Sequence, residues 1–407
     1  MARQQFDIVI VGAGIAGSAM ALALSGSGYR IAVIEAQPMQ RRELPASAGL
    51  NDFDARVSAL TPQSIRFLES LGARSAIEAY RSCAYRHMTV WDGDGTGRIE
   101  FDASELGVPA LGHIVENRAV VDALLEQVLA ASDVSCLSPE RVADCHRGDD
   151  GHVILQLENG DGPVKEIEAE LVVGADGALS RIRSLMDYTT REWDYGHQAI
   201  VATVALAEAH QQTAWQRFLP TGPLALLPLP GEEGSHLCSI VWSLENDRVD
   251  PLMAMEDEAF CAELSAAFEH GLGGVVGVSR RFAFPLRQRH AVDYVQPGVA
   301  LVADAAHTIH PLAGQGINLG LLDVEALAGE LLRARSAGLS PGSTEVLARY
   351  QRQRKGENLL MMGAMDGFKR LFADRSPPVR WLRNAGMRGV GSIAPLKRRL
   401  MRHAMGI

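Results

Sequence analysis

The chain has 407 residues, of which 47% are hydrophobic and 22% are charged, a composition ordinary for a soluble globular protein long enough for two domains. Its formal net charge of −10 argues against nucleic-acid binding, which needs a basic surface. The first predicted strand begins almost at once, leaving no room for a signal peptide, and no apolar run approaches the roughly 18 residues of a membrane-spanning helix. We therefore expect a cytoplasmic protein.

Five cysteines are scattered along the sequence without a C-x-x-C pair: Cys83, Cys136, Cys145, Cys238 and Cys261. This spacing indicates reduced thiols rather than disulfides or metal ligands. A reactive thiol among them stays open.

The N-terminus shows a strand, a glycine-rich turn and a helix. The apolar residues 6–11 are typical of a buried parallel strand, and residues 15–24 follow a helical period. Between them, Gly12 permits a tight turn, Gly14 lets the backbone approach a pyrophosphate, and Gly17 allows the helix to pack closely on the strand. The segment predicts a phosphate site at the helix N-terminus, where free N–H groups and the dipole attract anions.

A carboxylate completes this pattern. A second apolar strand over residues 31–34 ends in Glu35, about 20 residues beyond the glycines, where an acid that binds a ribose hydroxyl is expected. Ile15 and Ala16 open the intervening helix and join the predicted nucleotide site. The alternative is a glycine-rich turn that binds nothing.

Local patterns predict the elements that follow. Residues 61–71 have a helical period, with Thr61 as N-cap and Gly72 as the stop. Residues 88–101 alternate around a turn, as in a hairpin, and a further helix is predicted over residues 118–131. A hairpin or meander over residues 154–173 leads into a second motif.

The second motif is a strand ending at Gly174, a turn at Asp176 and Gly177, and a helix from Ser180. We expect Asp176 to face a ligand, although a simple turn aspartate is a common alternative. Arg183, one turn into the helix, would anchor Asp176 or a phosphate, or would be solvated.

A strand-rich block over residues 199–242 predicts a separate antiparallel sheet, and a helix is predicted over residues 257–269. The glycine-rich residues 271–277 lack the spacing and the preceding strand of a second nucleotide site. We therefore expect no second, nicotinamide-binding domain. The cofactor domain is interrupted by this block and resumes near Phe284.

The third motif begins where a strand over residues 299–302 leads into Asp304. A loop containing Pro311 follows, and residues 314–316 open a long helix. A helix N-terminus aimed at a flavin ring would favour its anionic reduced form. The three motifs together would wrap one extended dinucleotide, for which FAD is the leading candidate.

Two histidines in this motif, His307 and His310, lie near Asp304 and invite a metal interpretation. We expect no metal, because the loop already has a flavin explanation and the sequence shows no further ligand cluster. A general-base role for either histidine stays open beside that of a structural imidazole.

These motifs, in this order, resemble the class A flavoprotein monooxygenases of the para-hydroxybenzoate hydroxylase fold. The run over residues 307–323 is most similar to the ubiquinone-biosynthesis aromatic-ring hydroxylases. The similarity covers nearly the whole chain, including residues 56–61, 116–118, 284–286 and 319–323.

The resemblance implies a role for each matching residue. Gly12, Gly14, Gly17 and Glu35 would hold the ADP half of FAD. Arg56 and Arg118 would reach the pyrophosphate region, and Asp176 and Asp304 the pyrophosphate and ribityl chain. The residues that would border the isoalloxazine ring are Pro311, Gly314, Gln315, Gly316, Ile317 and Asn318. Ala303 departs from the family, which usually has glycine there, and its methyl group is expected to shift the backbone slightly.

The implied reaction is hydroxylation of an aromatic ring. NAD(P)H or another electron donor would reduce FAD, and O2 would add to the reduced flavin to give a hydroperoxide that hydroxylates a polyprenylated phenol or quinol in ubiquinone biosynthesis. No catalytic side chain is assigned. The substrate would lie between the flavin and the antiparallel sheet, where residues 224–229 and 240–242 would line an apolar pocket or form plain core.

Other functions stay open. A flavin-dependent halogenase or a prenyl reductase would share the fold, although the sequence has no W-x-W pair typical of a halogenase. A non-catalytic quinone-binding scaffold is the alternative of a different class. Membership of a ubiquinone-biosynthesis complex and a homo-oligomer also stay open, as do the ring position and the prenyl length.

The predicted fold class is α/β, with a Rossmann-like FAD-binding domain interrupted by a smaller α+β substrate domain that contains an antiparallel sheet. The FAD-binding domain would comprise residues 1–75, 101–185 and 285–365, and the substrate domain residues 76–100 and 186–284. Residues 366–407 would form a helical tail.

The tail is basic and amphipathic, in contrast to the acidic chain. Ten lysines and arginines between Lys369 and Arg402 oppose only Asp366 and Asp374 and alternate with apolar residues. Such a segment favours peripheral contact with an anionic membrane, here the inner membrane, which suits a prenylated substrate. The alternative is a tail packed on its own domain.

Overall fold

Two large sheets and the helices that cover them form the chain. The computed structural model describes residues 3–45, 47–160, 162, 164–231, 235–308, 316–374 and 376–407. The helices are α1 (Ile15–Leu24), α2 (Pro62–Ser70), α3 (Arg74–Tyr80), α4 (Asn117–Ala130), α5 (Arg181–Leu185), α6 (Asn246–Met253), α7 (Asp257–Ala267), α8 (Gly316–Ser336), α9 (Thr344–Ala373), α10 (Pro377–Ser392) and α11 (Ala394–Met405).

The strands alternate with these helices in the first part of the chain and cluster in the middle. They are β1 (Gln4–Val11), β2 (Ile31–Ile34), β3 (Val57–Leu60), β4 (Ser82–Tyr85), β5 (His87–Asp92), β6 (Arg98–Asp102), β7 (Gly112–Glu116), β8 (Val134–Leu137), β9 (Arg141–Arg147), β10 (Val153–Glu158), β11 (Lys165–Gly174), β12 (Thr190–Leu206), β13 (Thr213–Leu219), β14 (Gly222–Pro228), β15 (Leu237–Glu245), β16 (Val275–Val278), β17 (Phe282–Ala291), β18 (Val295–Gln296), β19 (Val299–Leu301) and β20 (His307–Thr308).

The first sheet has a parallel core in the order β19-β11-β1-β2-β8. Its register places Ile34, Val11, Gly174 and Leu301 in one row across four adjacent strands. Because parallel strands all end at the same edge, the segments that follow these residues emerge side by side.

Buried apolar side chains stabilise this sheet on both faces. All four residues of β2 are buried, and β1 is buried from Ile8 to its end. Helix α1 contacts both α4 and α8, and sheets covered by helices have continuous apolar strands rather than alternating ones. The strands and helix predicted over residues 6–34 are confirmed.

The second sheet has the order β20-β17-β12-β15-β14-β13-β5-β6, with β16 paired to β12. Neighbours in it are antiparallel except β13 and β5. The predicted antiparallel sheet is therefore confirmed, and the predicted hairpin of residues 88–101 is its outer pair. The domain boundaries proposed from the sequence stay a prediction.

Helix boundaries follow local capping chemistry. The Thr61 hydroxyl accepts a hydrogen bond from the Ser64 N–H at 3.2 Å, and Gly72 has a φ of +76° beyond the end of α2. Both features were predicted, because an N-cap hydroxyl satisfies a free N–H group and glycine adopts the left-handed conformation without strain.

The cysteines are free thiols, as predicted. Burial raises the pKa of Cys83 to about 11 and that of Cys145 to about 12. Cys136 is exposed, yet partial burial still raises its pKa. None of these thiols has the lowered pKa that marks a reactive cysteine.

The basic tail forms α10 and α11, which pack on the β5–β6 hairpin. Arg383 and Asp92, whose side chains are 2% and 1% exposed, form a two-pronged ion pair with hydrogen bonds of 2.8 and 3.0 Å. Asn384 donates to the same carboxylate at 3.0 Å, and the ring of Phe372 stacks on that of Phe218 at 4.0 Å. These side chains therefore agree with the alternative prediction, in which the tail packs on its own chain.

None of the helices in the described ranges combines the length and apolar content needed to cross a membrane.

We predict that Arg383→Ala lowers the free energy of unfolding by about 3–5 kcal/mol, because it leaves the buried Asp92 carboxylate without its cation. Arg399→Ala is the control, since Arg399 is exposed on the neighbouring helix, and its effect should stay within about 0.5 kcal/mol. Urea unfolding followed by circular dichroism measures both. Equal, small effects would show that the buried pair does not hold the tail.

Candidate functional site

The glycine-rich turn after β1 is a place of close backbone approach. Gly12 has a φ of +101°, and a Cβ there would lie 2.7 Å from the Ala175 carbonyl oxygen. A Cβ on Gly17 would lie 1.8 Å from the Gly12 carbonyl oxygen. Gly14 differs, because a Cβ there would have no atom within 4 Å. Two glycines thus serve internal contacts, and Gly14 faces open space.

The N-terminus of α1 is left uncapped by side chains. Gly14 is its N-cap and provides no side-chain hydrogen bond, so the first N–H groups of the helix, beginning with those of Ile15 and Ala16, remain available to an anion. Glu35 lies beside this turn, where its carboxylate accepts from the Ala13 N–H at 2.8 Å and the Gln37 N–H at 2.9 Å. Each carboxylate oxygen keeps acceptor capacity for a hydroxyl.

We predict that Gly17→Ala prevents stable folding, because its methyl group would overlap the Gly12 carbonyl. Gly14→Ala should keep the fold, since Gly14 has an ordinary φ of −70° and free space, but should weaken the binding of any phosphate-bearing ligand at the turn. Thermal unfolding without ligand separates the two effects from ligand titration. A Gly14→Ala protein that binds FAD as tightly as the parent would contradict this assignment.

The two carboxylate oxygens of Asp176 have different surroundings, and its contact with a ligand stays a prediction. One carboxylate oxygen, Oδ2, accepts from the N–H groups of Arg181 at 2.6 Å and Ile182 at 3.2 Å and so caps α5. The other, Oδ1, is buried and has no hydrogen-bond partner among the described residues. A buried acceptor without a partner is rare in native proteins, so this oxygen is suited to a ligand donor.

Two of the expectations for Arg183 are wrong, and its contact with a phosphate stays a prediction. The side chain is neither solvated nor bound to Asp176; it is 6% exposed and donates to two carbonyl oxygens, of Ala305 at 2.8 Å and Ala178 at 2.7 Å. Because these carbonyls belong to the third and second motifs, Arg183 ties the two motifs together. The sequence cannot show that a helical arginine turns inward to satisfy loop carbonyls.

The third motif presents Asp304 at the end of β19. Solvent reaches its side chain, yet the surrounding protein raises the pKa of the carboxyl by desolvation, against opposing effects of His307 and Arg56. Arg56 is itself exposed, and its guanidinium lies 5.3 Å from the ring centre of Phe284. The structure thus brings Arg56 and Asp304 into one electrostatic neighbourhood.

Ala303 takes a conformation that suits glycine. Its φ is +53°, in the left-handed region where a side chain costs about 1 kcal/mol. The expected small backbone shift does not relieve this conformation. Gly320 accommodates the methyl group instead, since a Cβ on Gly320 would lie only 2.7 Å from the Ala303 Cβ.

We predict that Gly320→Ala alone destabilises the protein by about 1–3 kcal/mol through overpacking. Combined with Ala303→Gly it should be nearly neutral, because the next atom, the residue 303 Cα, is 3.5 Å away. Denaturant unfolding of the two single variants and the double variant gives the coupling energy. Additive effects would show that the two methyl positions do not compete.

Asn318 fixes the N-terminal turn of α8. Its amide donates to the Ala59 carbonyl at 2.8 Å and accepts from the Thr61 N–H at 3.0 Å and the Ser64 hydroxyl at 2.7 Å. With Gly316 and Ile317 it opens α8, and a Cβ on Gly316 would meet no atom of the described residues within 4 Å. Any contact of Asn318 with a ring would therefore come from its backbone.

Four residues of interest lie outside the described ranges: His310, Pro311, Gly314 and Gln315.

Arg118 belongs to a cluster that the sequence did not reveal. It forms an ion pair with buried Glu116 at 2.6 Å and donates to the Tyr80 hydroxyl at 3.2 Å. Arg81, 7% exposed, approaches the same carboxylate at 3.4 Å and lies over the Phe53 ring at 4.6 Å. Two guanidinium groups share one carboxylate. No sequence motif marks Arg81, because the cluster forms only when separate segments meet.

His307 has the surroundings of a structural imidazole, which was one of its two predicted roles. It is 2% exposed, and its Nε2 lies 2.5 Å from Oδ2 of Asp323, which is fully buried. Burial alone would raise the pKa of Asp323, but His307 and Arg354 outweigh it and keep that pKa lowered. Among the described residues, Asp150, His152 and Glu168 bring three potential metal-ligand atoms together, whereas His307 and Asp323 belong to no such group.

Residues 224–229 and 240–242 of the second sheet were expected either to line an apolar pocket or to form plain core, and several of them form core. Leu224, Leu226, Ile240 and Trp242 pack in one cluster with side chains of α7. Val241, which lies between Ile240 and Trp242, points to the opposite face of the sheet, because side chains alternate along a strand. There it joins a smaller apolar cluster made of Ala199, Val201, Val241, Phe284 and Leu286.

The row of strand ends collects the three motifs at one edge. The Gly12 N–H donates to the Ile34 carbonyl at 2.8 Å, the Ala175 N–H to Val11 at 2.9 Å and the Val302 N–H to Gly174 at 3.0 Å. An uncapped helix N-terminus, the Glu35 carboxylate and an unpaired Asp176 oxygen lie along this edge. These groups fit the phosphates and hydroxyls of an extended dinucleotide. Fold and site together define a dinucleotide-binding flavoprotein.

Comparison with protein families shows which family of flavoproteins the chain belongs to. The model of the family described as "FAD binding domain" matches residues 5–358. The chain belongs to this family, and FAD is its cofactor.

Two relatives match along nearly their whole length. The 3-demethoxyubiquinol 3-hydroxylase of Escherichia coli is 39% identical over 408 residues, covering 100% of both chains. The ubiquinone hydroxylase UbiL of Rhodospirillum rubrum is 38% identical, covering 98% of this chain and 89% of the relative. Among solved structures, p-nitrophenol 4-monooxygenase from Pseudomonas putida superposes with a TM-score of 0.77 at 20% identity, covering 99% and 98% of the chains. The chain is an FAD-dependent monooxygenase.

Proposed function

We propose that this enzyme hydroxylates the aromatic ring of a polyprenylated phenol or quinol in ubiquinone biosynthesis. The observation that carries the proposal is the full-length similarity to ubiquinone hydroxylases at 38–39% identity. The small apolar cluster of Ala199, Val201, Val241, Phe284 and Leu286 is consistent with it, because apolar side chains suit an uncharged ring.

The geometry of the strand edge supports a role for several residues. We propose that the N–H groups of α1 and the Glu35 carboxylate hold the ADP half, and that Asp176 and Asp304 hold the phosphate and ribityl region. Arg56 and Arg118 would supply positive charge, and the start of α8 would border the ring. When bound, FAD supplies the redox chemistry with NAD(P)H or another donor and O2, and the protein orients the substrate and excludes water.

Purified holoenzyme incubated with a short-chain prenylated phenol, NADPH and O2 tests the reaction. We expect substrate-dependent oxygen consumption and a product heavier by one oxygen atom in mass spectrometry. A chlorinated product in the presence of chloride would indicate a halogenase, and loss of prenyl double bonds a reductase. Binding of the quinone without turnover would indicate a scaffold.

Val241→Phe tests whether the small apolar cluster contacts the substrate, and Val276→Phe is its matched control. Val241→Phe enlarges a side chain in the small apolar cluster, which contains no cofactor-binding candidate. The KM for the aromatic substrate should rise about tenfold, and FAD content should not change. Val276→Phe, on an exposed position of β16, should leave both quantities unchanged.

We further propose that the tail contacts an anionic membrane, where a prenylated substrate would reside. Although α10 and α11 pack on the chain, Trp381 and Leu382 remain 69% and 62% exposed. Residues 376–407 contain no aspartate or glutamate, and Arg398, Arg399 and Arg402 are exposed. Exposed apolar side chains and exposed cations on one segment suit a lipid surface.

We predict that the Trp381→Ser/Leu382→Ser protein loses most of its binding to vesicles that contain anionic phospholipid. Leu332→Ser/Leu339→Ser is the matched control, since it removes two exposed leucines outside the tail. Co-sedimentation at low and high salt measures binding, and salt should weaken it. Equal binding by both variants would contradict membrane contact through this surface, while leaving the hydroxylase proposal standing.

A further inference from the structure

Asp323 on α8 receives four hydrogen bonds although it is fully buried. Its Oδ2 accepts from the Ala303 N–H at 3.1 Å and faces His307 Nε2 at 2.5 Å. Its Oδ1 accepts from Arg354 Nε at 2.9 Å and Asn358 Nδ2 at 3.0 Å. One carboxylate therefore links the turn between β19 and β20 to α8 and α9.

The two ends of that turn are held by the same oxygen. Ala303 precedes Asp304, and His307 follows it by three residues. From the opposite side, Arg183 donates to the Ala305 carbonyl at 2.8 Å, and the Ala306 carbonyl accepts from the Ala291 N–H at 2.8 Å. Asp304 is the residue of the turn whose side chain solvent reaches most freely.

The turn needs this restraint because Ala303 is in the left-handed conformation. A non-glycine residue there persists only where its surroundings over-determine it. Replacing a buried ionic network by apolar side chains is often neutral or stabilising, so the network is not explained by stability alone. Its geometric effect is to fix the direction of Asp304.

We propose that Asp323, acting through Ala303 and His307, is a positioning residue for FAD that holds Asp304 in its cofactor-binding orientation. The Asp323 side chain does not itself contact the cofactor, since it is 0% exposed. The inference rests on the proposed role of Asp304 in FAD binding. It does not depend on which substrate is hydroxylated.

The test uses His307→Ala, which removes one donor and leaves Asp323 with three. We expect the Kd for FAD to rise about tenfold and the visible circular dichroism of bound flavin to change. His307→Gln keeps an N–H donor and should restore most of the affinity. Ala303→Gly should also restore affinity in the His307→Ala protein, because glycine needs no restraint at that φ, and should change the parent by less than about twofold.

Tyr350→Phe is the matched control. It removes a buried hydrogen bond of 2.8 Å to the Leu301 carbonyl in the strand before the turn, and should lower stability without changing the Kd for FAD. If His307→Ala does not fold, Asp323→Asn with and without Ala303→Gly replaces it. Equal effects of His307→Ala and Tyr350→Phe on the Kd, or no rescue by Ala303→Gly, would overturn the proposal. A failure to hydroxylate prenylated phenols with FAD binding intact would overturn the proposed function alone.

Discussion

Parallel pairing of β2, β1, β11 and β19 in one register is the constraint on which the rest of the structure depends. It aligns Ile34, Val11, Gly174 and Leu301 in a row, so that segments more than a hundred residues apart leave the sheet at one edge. Hydrogen bonds continue the row by one residue beyond each strand end. A change of register in a single strand would move its motif along the edge and separate it from the others.

Around this row, polar groups are divided between holding the protein together and remaining free for a cofactor. Some polar side chains form hydrogen bonds within the protein and hold the motifs in place relative to each other: Arg183, Asp323 and Asn318. The uncapped start of α1, Oδ1 of Asp176 and the side chain of Asp304 remain available. This division gives a rigid site that needs little ordering when a dinucleotide binds, which favours affinity.

Local chemistry was readable from the sequence, whereas burial and the choice of sheet face were not. The β1–α1–β2 unit, the Thr61 cap and the stop at Gly72 could be predicted because neighbouring residues decide them. The inward turn of Arg183 could not be predicted because it depends on tertiary contact. The choice between pocket and core stayed open for Leu224 because nothing in the strand tells which face α7 covers. The central position of Asp323 in a buried hydrogen-bond network was not predicted. An aspartate on the apolar face of α8 was nevertheless a signal that it has buried partners.

The central claim is that one FAD molecule lies along the row of strand ends. A crystal structure of the protein with FAD tests it most directly. The account places the pyrophosphate at the N-terminus of α1, the ribose beside Glu35 and the flavin ring at the first turn of α8. Electron density for FAD elsewhere, or with its ring remote from α8, would contradict the account.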